Sequence, residues 1–593
     1  MRSEAVPLRR LQAFLDESTV RPAASRFLVP GTADADIVFS DTPISFMMGV
    51  NAETGVVMDE HHPLLGVPLQ GKAFALRKGR GSCASSAVIL ELLYLGKAPS
   101  ALIFREMDPI LVLGVLLAGA LYSKSIPVVL IEDDAAWAKV FKAESCRITS
   151  KGLMIGDELM SLDRPHSQSV ETTPEDERML RGEGYDPATQ MAMELIVEFA
   201  SIQGAKDLTT VSQVHIDACC LVGQTSLLVP QRLLELGGRV RVPATCNSLD
   251  VDRQRWRALG TDPDISQFAS KIGDAYLAMG TTISFTCAPY LLDSKPQQGD
   301  QIAWGESNAV AFANSVLGAR TQKYPDYLDV LIALTGRAPV MGCHLDEGRR
   351  PTMSFRINTD ELTGFDDSLF PLLGYHIGSL VGGDIPIISG LESSNPGVPD
   401  LKAFSAGFAT TSSAAMFHIR GVTPEADTVV VPKEIPEMTI GRRELAETWL
   451  QLQSAKNDTV DIISLGNPHF ALEEFPRLIH LIKNKTKSPK VAMVITTSRF
   501  VYEKAEEAGD RDVVVKFGAQ FITDTCWCML KEPVIPHKAQ NIMTISAKYA
   551  HYGPGVSGRG VAFGSLADAV EAACTGTRPV APTWLFGLQE VDA

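Results

Sequence analysis

Residues 71–96 read GKAFALRKGRGSCASSAVILELLYLG, a short apolar strand followed by a glycine-rich turn and an apolar helix. The strand covers residues 72–76, and the turn GRGS occupies residues 79–82. From Ser85 onward the apolar side chains recur with the 3.6-residue period of a helix. The stretch therefore predicts a strand–turn–helix unit, the building block of an α/β fold.

The same alternation of strands and helices extends outward in both directions. Further strands are predicted at residues 36–40, 101–104, 128–131, 460–465, 490–495 and 512–516, and helices at 475–482 and 501–508. The longest apolar run, residues 110–122, is too short to span a bilayer and predicts a buried helix. We predict an α/β protein that ends in a small parallel three-layer domain.

Changes in composition divide the chain. Residues 157–178 are polar and acidic, which favours a linker that leads into a helix at Pro174. The predicted parts are an N-terminal arm at 1–26, a β/α domain at 27–150, a linker at 151–178, a helix-rich part at 179–424 and a C-terminal α/β part at 425–593.

Charge and cysteine content exclude several classes of protein. The 54 basic and 70 acidic residues give a net charge of −16, which disfavours nucleic-acid binding. Ten cysteines in 593 residues are too few for a disulfide framework, and the charged N-terminus lacks the apolar segment of a signal peptide. We expect a cytoplasmic protein with reduced cysteines and without nucleic-acid or membrane partners.

The GRGS turn is a candidate anion site. Its backbone amides and the start of the following helix favour negative charge, and Arg80 beside Gly81 presents a fork suited to a carboxylate. Ser82 can exchange a proton with a bound ligand. A plain tight turn with a serine cap is the alternative interpretation.

Residues 304–321 combine polar and small side chains. Buried polar groups are costly unless they serve a ligand or a hydrogen-bond network. The candidate ligand-binding or catalytic residues of this run are Glu306, Ser307, Asn308, Arg320 and Thr321. A purely structural network is the alternative.

Three cysteines lie in irregular segments, namely Cys287, Cys343 and Cys526. None forms a CxxC pair, so no zinc-ribbon or ferredoxin spacing applies, although distant cysteines can converge on one cluster. In Cys526-Trp-Cys528 the two thiols would share a face only if the segment were a strand. A buried structural role is common for any single free cysteine.

His215 and Lys548 are the candidate general bases outside these runs. His215 stands in an apolar segment two residues before Asp217, and Lys548 belongs to the cluster Lys548-Tyr-Ala-His551. A lone histidine among apolar residues is more often part of the core.

Taken together, these motifs resemble the aconitase X family along nearly the whole chain, from about residue 27 to 590. The segments that carry the resemblance are Asn51-Ala-Glu-Thr-Gly55, Gly79-Arg-Gly-Ser82, His215-Ile-Asp217, Thr286-Cys-Ala-Pro-Tyr290, the 304–321 run, Gly342-Cys-His-Leu345, Asp524-Thr-Cys526 and Lys548-Tyr-Ala-His551. Two departures are Met47-Met48 and Cys83, where the family more often has an aromatic residue with glycine and a serine or threonine.

The resemblance implies an N-terminal swivel β/α domain fused to a large multi-layer α/β catalytic portion. Fused members are associated with dehydration of cis-3-hydroxy-L-proline to Δ1-pyrroline-2-carboxylate, a hydro-lyase reaction. The resemblance also implies an iron–sulfur cluster, [2Fe–2S] in the fused type, for which we predict Cys287, Cys343 and Cys526 as ligands. Ser82 would then act on the Cα proton and Arg80 on the carboxylate.

The implied partner is a small hydroxyproline-like amino acid, bound by a monomer or small homo-oligomer. Two alternatives remain open at this stage. One is a dehydratase of the same family that acts on another hydroxy acid, such as mevalonate 5-phosphate. The other is a non-catalytic relative that binds a metabolite.

Overall fold

A computed structural model describes residues 25–59, 62–80, 82–163 and 170–587. Gly81 of the GRGS turn and nearly all of the predicted N-terminal arm lie outside the described residues. Among the described residues, no helix is long and apolar enough to cross a membrane.

In the described residues, the N-terminal domain is one eight-stranded mixed sheet with three helices. Its strands follow the order β1-β5-β4-β3-β2-β6-β7-β8, and β2 to β5 run parallel. The elements are β1 Ser25–Val29, β2 Ala33–Ser40, β3 Ala73–Leu76, α1 Ser85–Leu95, β4 Ala101–Phe104, α2 Pro109–Tyr122, β5 Val128–Ile131, α3 Asp134–Lys142, β6 Ser145–Thr149, β7 Gly152–Ile155 and β8 Glu158–Ser161. The strand and the helix predicted within residues 71–96 are therefore β3 and α1.

Two segments differ from the sequence prediction. Strands β7 and β8 extend the sheet into the segment predicted as a linker, because Leu153 is buried in this hairpin and anchors it. Residues 510–517 form a helix, although their run of valines predicts a strand. Only Val514 of these valines is buried, and glycines with positive φ stand directly before and after the helix.

The middle of the chain carries two small sheets among helices. Strands β11, β10 and β12 form a parallel sheet, and β13 pairs with β9 in antiparallel fashion. The elements are α4 Pro174–Leu180, α5 Pro187–Gln203, β9 Leu208–Thr210, β10 Val214–Ile216, α6 Thr225–Glu235, β11 Ala244–Cys246, α7 Trp256–Leu259, α8 Pro263–Ala278, β12 Ala303–Trp304, α9 Ser307–Phe312, a π-helical turn Ala313–Leu317, α10 Leu328–Thr335 and β13 Arg337–Pro339.

Two parallel α/β units complete the chain. Their sheet orders are β16-β15-β14-β17 and β20-β19-β18-β21-β22. The first unit contains β14 Met353–Ile357, α11 Leu369–Val381, β15 Pro386–Ser389, α12 Val398–Thr411, β16 His418–Ile419, β17 Glu437–Ile440 and α13 Arg442–Gln451. The second contains β18 Ile462–Leu465, α14 Phe475–Ile482, β19 Ala492–Thr496, α15 Arg499–Glu507, α16 Asp510–Phe517, β20 Gln520–Ile522, β21 Asn541–Thr544, α17 Ala547–Ser557, β22 Gly560–Phe563, α18 Leu566–Thr575 and α19 Thr583–Phe586.

The N-terminal domain is docked on the rest of the chain. Apolar side chains of α1 and α2 share one continuous core with those of α5, α6 and α10. The buried carboxylate of Glu91 on α1 accepts hydrogen bonds from the backbone of Gln224 and Thr225, where α6 begins. This contact holds α1 of the N-terminal domain against the start of α6.

The topology directs several strand ends toward one place. In open parallel sheets, ligands bind beyond the carboxyl ends of the strands, where the strand order reverses. In the C-terminal sheet that point lies between β18 and β21. The carboxyl ends of β10, β11 and β12 from the middle sheet contribute residues to the same cavity.

Candidate active site

A cavity of about 90 Å³ lies between the N-terminal domain and the rest of the chain. Its lining brings together residues from the N-terminal domain, the middle of the chain and both C-terminal α/β units. The lining residues are Met47, Met48, Ser82, Ala84, Asp217, Cys220, Asn247, Ser248, Cys287, Glu306, Ser307, Asn308, Ala406, Ala409, Thr410, Cys526, Cys528, Met529, Lys548 and Tyr552. Among these described lining residues, Lys548 is the only cationic side chain.

Lys548 and Glu306 form an ion pair in this cavity. Lys548 follows β21 and Glu306 follows β12, and Lys548 Nζ lies 2.9 Å from Glu306 Oε1. Burial would raise the pKa of Glu306, but the attraction and hydrogen bond of Lys548 bring it down to about 2. Burial also opposes the charge of Lys548, yet Glu306 and the nearby thiols hold its pKa well above the usual value. Lys548 therefore remains a cation at neutral pH and is unsuited to act as a base.

Asn308 supports this ion pair. Its amide nitrogen donates to Glu306 Oε1 and, at 3.2 Å, to the backbone oxygen of Cys287, while its oxygen accepts from the hydroxyl of Tyr290 at 2.9 Å. These partners occupy the side chain, so Asn308 positions its neighbours. Ser307 lines the cavity, and its Oγ lies 3.7 Å from Cys83 Sγ.

Three thiols share one side of the cavity. Cys526 forms hydrogen bonds with both Cys287 and Cys528, and the first of these is the main cause that raises the pKa of Cys526 above its usual value. Trp527, which lies between Cys526 and Cys528 in the sequence, is buried, and its indole nitrogen donates to Leu465 O at 2.9 Å. This anchor turns both flanking thiols toward the same cavity, an arrangement that the sequence did not predict for a loop.

His469 ties the loops of the three thiols together. Its backbone N–H donates to Cys287 Sγ at 3.4 Å, and its ring bridges Thr286 Oγ1 at 2.9 Å and Thr525 O at 2.8 Å. Burial lowers the pKa of His469 to about 4, so the ring is neutral and joins a hydroxyl donor to a carbonyl acceptor. Sequence reasoning missed His469, and the signal that could have found it is its place just after β18.

The donor set fits an iron–sulfur cluster in its chemistry. In the part of the chain that the structure describes, no group of three or more His, Cys, Asp or Glu side chains is preassembled as a metal site. Four thiols nevertheless line the cavity, and three of them, Cys287, Cys526 and Cys528, interact with one another beside the Lys548 cation. Asn467 Nδ2 donates to Cys528 Sγ at 3.1 Å. Hydrogen bonds to sulfur and a nearby positive charge are typical of thiolate ligands of such clusters.

The GRGS turn contributes Ser82 to the cavity but not Arg80. Ser82 Oγ accepts from the backbone N–H of Ala84 at 3.2 Å. Arg80 is half exposed, and its guanidinium forms an ion pair with Asp59 at 3.0 Å. Burial raises the pKa of Tyr552 in the lining, and the charge of Arg80 partly opposes this effect. Arg80 therefore lies near the cavity without forming part of its wall.

Gly79 has a structural role, because its backbone lies in close contact with Asp108. Asp108 accepts from the Gly79 N–H at 2.8 Å and from the first amides of α2, and a Cβ at Gly79 would lie 2.2 Å from Asp108 Oδ2. This glycine ties the turn to α2.

Besides Arg80, four more predicted site residues lie outside the lining. Arg320 donates to His344 O at 3.1 Å and pairs with Asp346, and the buried Thr321 accepts from the Trp304 backbone at 3.1 Å. Both therefore stabilise the fold around the 304–321 run rather than contact a ligand in the cavity.

Cys343 and His215 are also placed elsewhere. The thiol of Cys343 donates to Gly348 O at 3.5 Å, in a buried turn that the cavity does not reach, so it does not join the other two predicted ligands. His215 is fully buried and bonded to Thr245 Oγ1 at 2.8 Å, and burial lowers its pKa to about 3. It is a neutral core histidine.

Sequence reasoning also missed several hydrogen-bond acceptors that line the cavity beyond the carboxyl ends of β10 and β11. Asp217 and Asn247 come directly after β10 and β11, and Asn247 Nδ2 donates to Asp217 Oδ1. Gly305 permits this packing, because a Cβ there would lie 2.6 Å from Asp217 Cβ. The signal was the polar residue that follows each short buried strand.

Four family models match successive parts of this chain. They describe the aconitase X swivel domain over residues 23–155, the first domain over 169–347, the second over 351–450 and the third over 460–575.

Known relatives are similar along most of the chain. A cis-3-hydroxy-L-proline dehydratase of Hypocrea jecorina is 44% identical and covers 92% of this chain and 94% of its own, and one of Pseudomonas aeruginosa is 43% identical and covers 94% and 98%. The phosphomevalonate dehydratase large subunit of Methanothermobacter thermautotrophicus is 33% identical over 65% of this chain and 94% of its own. A crystal structure of Thermococcus kodakaraensis aconitase X in its holo form is 28% identical, with a TM-score of 0.62 over 68% of this chain and 100% of that chain.

Proposed function

Since this chain belongs to the aconitase X family and is, like its named relatives, a dehydratase, we propose that its substrate is cis-3-hydroxy-L-proline. The observation that carries this proposal is the identity of 44% and 43% to two cis-3-hydroxy-L-proline dehydratases over 92% and 94% of the chain. The product would be Δ1-pyrroline-2-carboxylate, formed by loss of water and tautomerisation.

The charge of the cavity supports an amino acid over a phosphorylated substrate. Phosphate binding favours several free cationic or bidentate donors. Among the described lining residues, the single cation Lys548 is already paired with Glu306, and Asp217 adds a second acidic group. A zwitterion suits this lining better than mevalonate 5-phosphate.

We further propose that Cys287, Cys526 and Cys528 hold an iron–sulfur cluster, of the [2Fe–2S] type. Three protein thiols would leave one coordination position for substrate or water. When bound, the cluster supplies a Lewis acid for departure of the 3-hydroxyl group. Cys528 takes the place that Cys343 had in the sequence prediction, since it lines the cavity with the other two.

Ser82 is the proposed acceptor of the Cα proton. The other predicted bases are poorly suited: Lys548 and Glu306 are locked in an ion pair, and His215 lies outside the lining with a pKa of about 3. A serine hydroxyl needs positive potential to accept a proton. Burial raises the pKa of Cys83, the residue next to Ser82, and Lys323 opposes this effect while Asp217 and Asp326 add to it. Lys323 is therefore the source of positive potential that we propose for Ser82.

Arg80 is the proposed partner of the substrate carboxylate, at the edge of the cavity beside Tyr552. Its exchange of Asp59 for the substrate would require only a rotation of an exposed side chain. The predictions of a cytoplasmic location and of a monomer or small homo-oligomer stay predictions.

The test is turnover of a panel of hydroxyproline isomers by anaerobically prepared protein, together with iron and sulfide counts and absorption and EPR spectra. We expect dehydration of the cis-3-hydroxy-L isomer and two irons per chain with a [2Fe–2S] spectrum. Iron-loaded protein that dehydrates none of the isomers would contradict the proposed substrate, and active protein without iron would contradict the cluster.

A further inference from the structure

One hydroxyl in the cavity is left without a partner. Ser248 follows β11 and is 2% exposed, and its Oγ has no hydrogen-bond partner among the described residues although it lines the cavity. A buried hydroxyl without a partner costs free energy unless a ligand or water completes it. The vacant hydrogen bond therefore points to a polar group of the ligand.

The groups beside Ser248 are acceptors. The amide of Asn247 is oriented by its contacts, because its oxygen accepts from the Ser248 N–H at 2.7 Å and its nitrogen donates to Asp217 and, at 3.3 Å, to Glu306. Both N–H groups of the Asn247 side chain are therefore engaged in hydrogen bonds. What faces a ligand here is the carboxylate of Asp217 and the hydroxyl of Ser248.

Among the described residues no cation forms an ion pair with Asp217, whose side chain shares a hydrogen bond with the carboxyl group of Asp326. Burial raises the pKa of Asp217 well above its usual value, and the neighbouring Asp326, Glu306 and Asp329 raise it further. The nearby cations are engaged elsewhere: Lys548 pairs with Glu306, and Lys323 donates to Ser412 O at 3.1 Å. A positively charged donor from the ligand would stabilise the ionised form of Asp217, which burial and the acidic neighbours disfavour.

We propose that Asp217 and Ser248 bind the ring ammonium of a cyclic amino acid. This inference rests on the proposed function and assigns the ring nitrogen of that substrate to the ends of β10 and β11. A secondary ammonium has two N–H donors, of which one meets the Asp217 carboxylate and the other meets Ser248 Oγ. A phosphorylated hydroxy acid brings no such donor and adds negative charge beside Asp217.

The experiment compares two ligands of the same shape on the holoenzyme by calorimetry. L-proline carries the ring ammonium, and (S)-tetrahydrofuran-2-carboxylate replaces it with an ether oxygen. A hydrogen bond to a charged group corresponds to about 10-fold to 100-fold in affinity. We expect wild-type protein to bind L-proline about 100-fold more tightly than the ether.

The variants test the two assigned residues. Ser248→Ala should weaken L-proline binding about 10-fold and leave the ether unchanged, and Asp217→Asn should abolish most of the preference. The matched control is Ser464→Ala, because Ser464 Oγ is also buried and without a partner among the described residues but does not line the cavity. Its preference for L-proline should equal that of wild type.

Equal binding of both ligands by wild type, or a parallel loss of both in Ser248→Ala, would overturn the proposal. If the same preparation dehydrates cis-3-hydroxy-L-proline while Ser248→Ala retains the full preference, the subsite is wrong and the proposed function stands. If L-proline binds with the expected dependence on Ser248 but no hydroxyproline isomer is dehydrated, the subsite stands and the proposed function is wrong.

Discussion

Replacement of Lys548 by methionine tests the electrostatics of the cavity most quantitatively. The pKa of Glu306 is about 2 because Lys548 outweighs the effect of burial. Without Lys548, burial should raise that pKa above the ordinary 4.5. The difference of about 2.5 between the ordinary pKa of 4.5 and the lowered value of about 2 corresponds to about 3 kcal/mol in the free energy of unfolding. This value lies within the range of about 3–5 kcal/mol seen when one partner of a buried pair is removed.

The sign of the pH dependence follows from the two pKa values. In wild type the lowered pKa of Glu306 stabilises the fold above pH 4.5, and this contribution disappears as the pH falls toward 2. In Lys548→Met the raised pKa reverses the slope, so the variant regains stability relative to wild type as the pH falls from 7 to 4. Urea denaturation of iron-free protein at several pH values measures this difference.

Two controls separate the ion pair from a general effect of lost charge. Lys485 pairs with Glu571 at 3.1 Å on the surface, so Lys485→Met should cost less than about 1 kcal/mol. In the double variant Lys548→Met/Glu306→Gln, the part of the pH dependence of stability that comes from Glu306 should vanish. A Lys548→Met protein as stable at pH 7 as Lys485→Met, or a loss of stability that does not shrink on acidification, would show that the Lys548–Glu306 pair does not stabilise the fold.

Three further predictions concern the cluster, the proton transfer and the packing of the strand ends. Cys528→Ser should lose iron and visible absorption while Cys343→Ser keeps both, and the reverse result would restore the ligand set predicted from sequence. Ser82→Ala should lower kcat by about 10²–10⁴-fold with little change in KM, and exchange of Cα hydrogen with solvent deuterium at the wild-type rate would place the base elsewhere. Gly305→Ala should destabilise the protein by about 1–3 kcal/mol in thermal unfolding, since its Cβ would overlap Asp217, and an unchanged Tm would contradict the packing described.

The α/β class and most elements of the sheets could be predicted from sequence, because short buried strands carry a local signal. The strand at 128–131 and the helix start at Ser85 agree with the structure for this reason. The helix at 510–517 could not be predicted, since its valines favour a strand and the deciding factor is that only one of them is buried. Tertiary context overrides local propensity there.

The candidate site was partly predictable. Cys287, Cys526, Glu306 and Lys548 line the cavity as the motifs suggested. In the sequence, Cys343 was indistinguishable from Cys287 and Cys526, because each of the three stands in an irregular segment. Only the packing of distant segments separates a thiol that faces the cavity from one that bonds to a neighbouring carbonyl.

The acceptor side of the cavity could not be predicted either. Asp217, Asn247 and Ser248 come together because β10 and β11 are adjacent and parallel, with His215 opposite Thr245. Strands of three residues are too short to give a periodic signal.

The most direct measurement is turnover of cis-3-hydroxy-L-proline and of mevalonate 5-phosphate by the same anaerobic holoenzyme, followed by proton NMR. We expect conversion of cis-3-hydroxy-L-proline to Δ1-pyrroline-2-carboxylate and no reaction of the phosphorylated acid. Dehydration of mevalonate 5-phosphate with cis-3-hydroxy-L-proline left intact would contradict it.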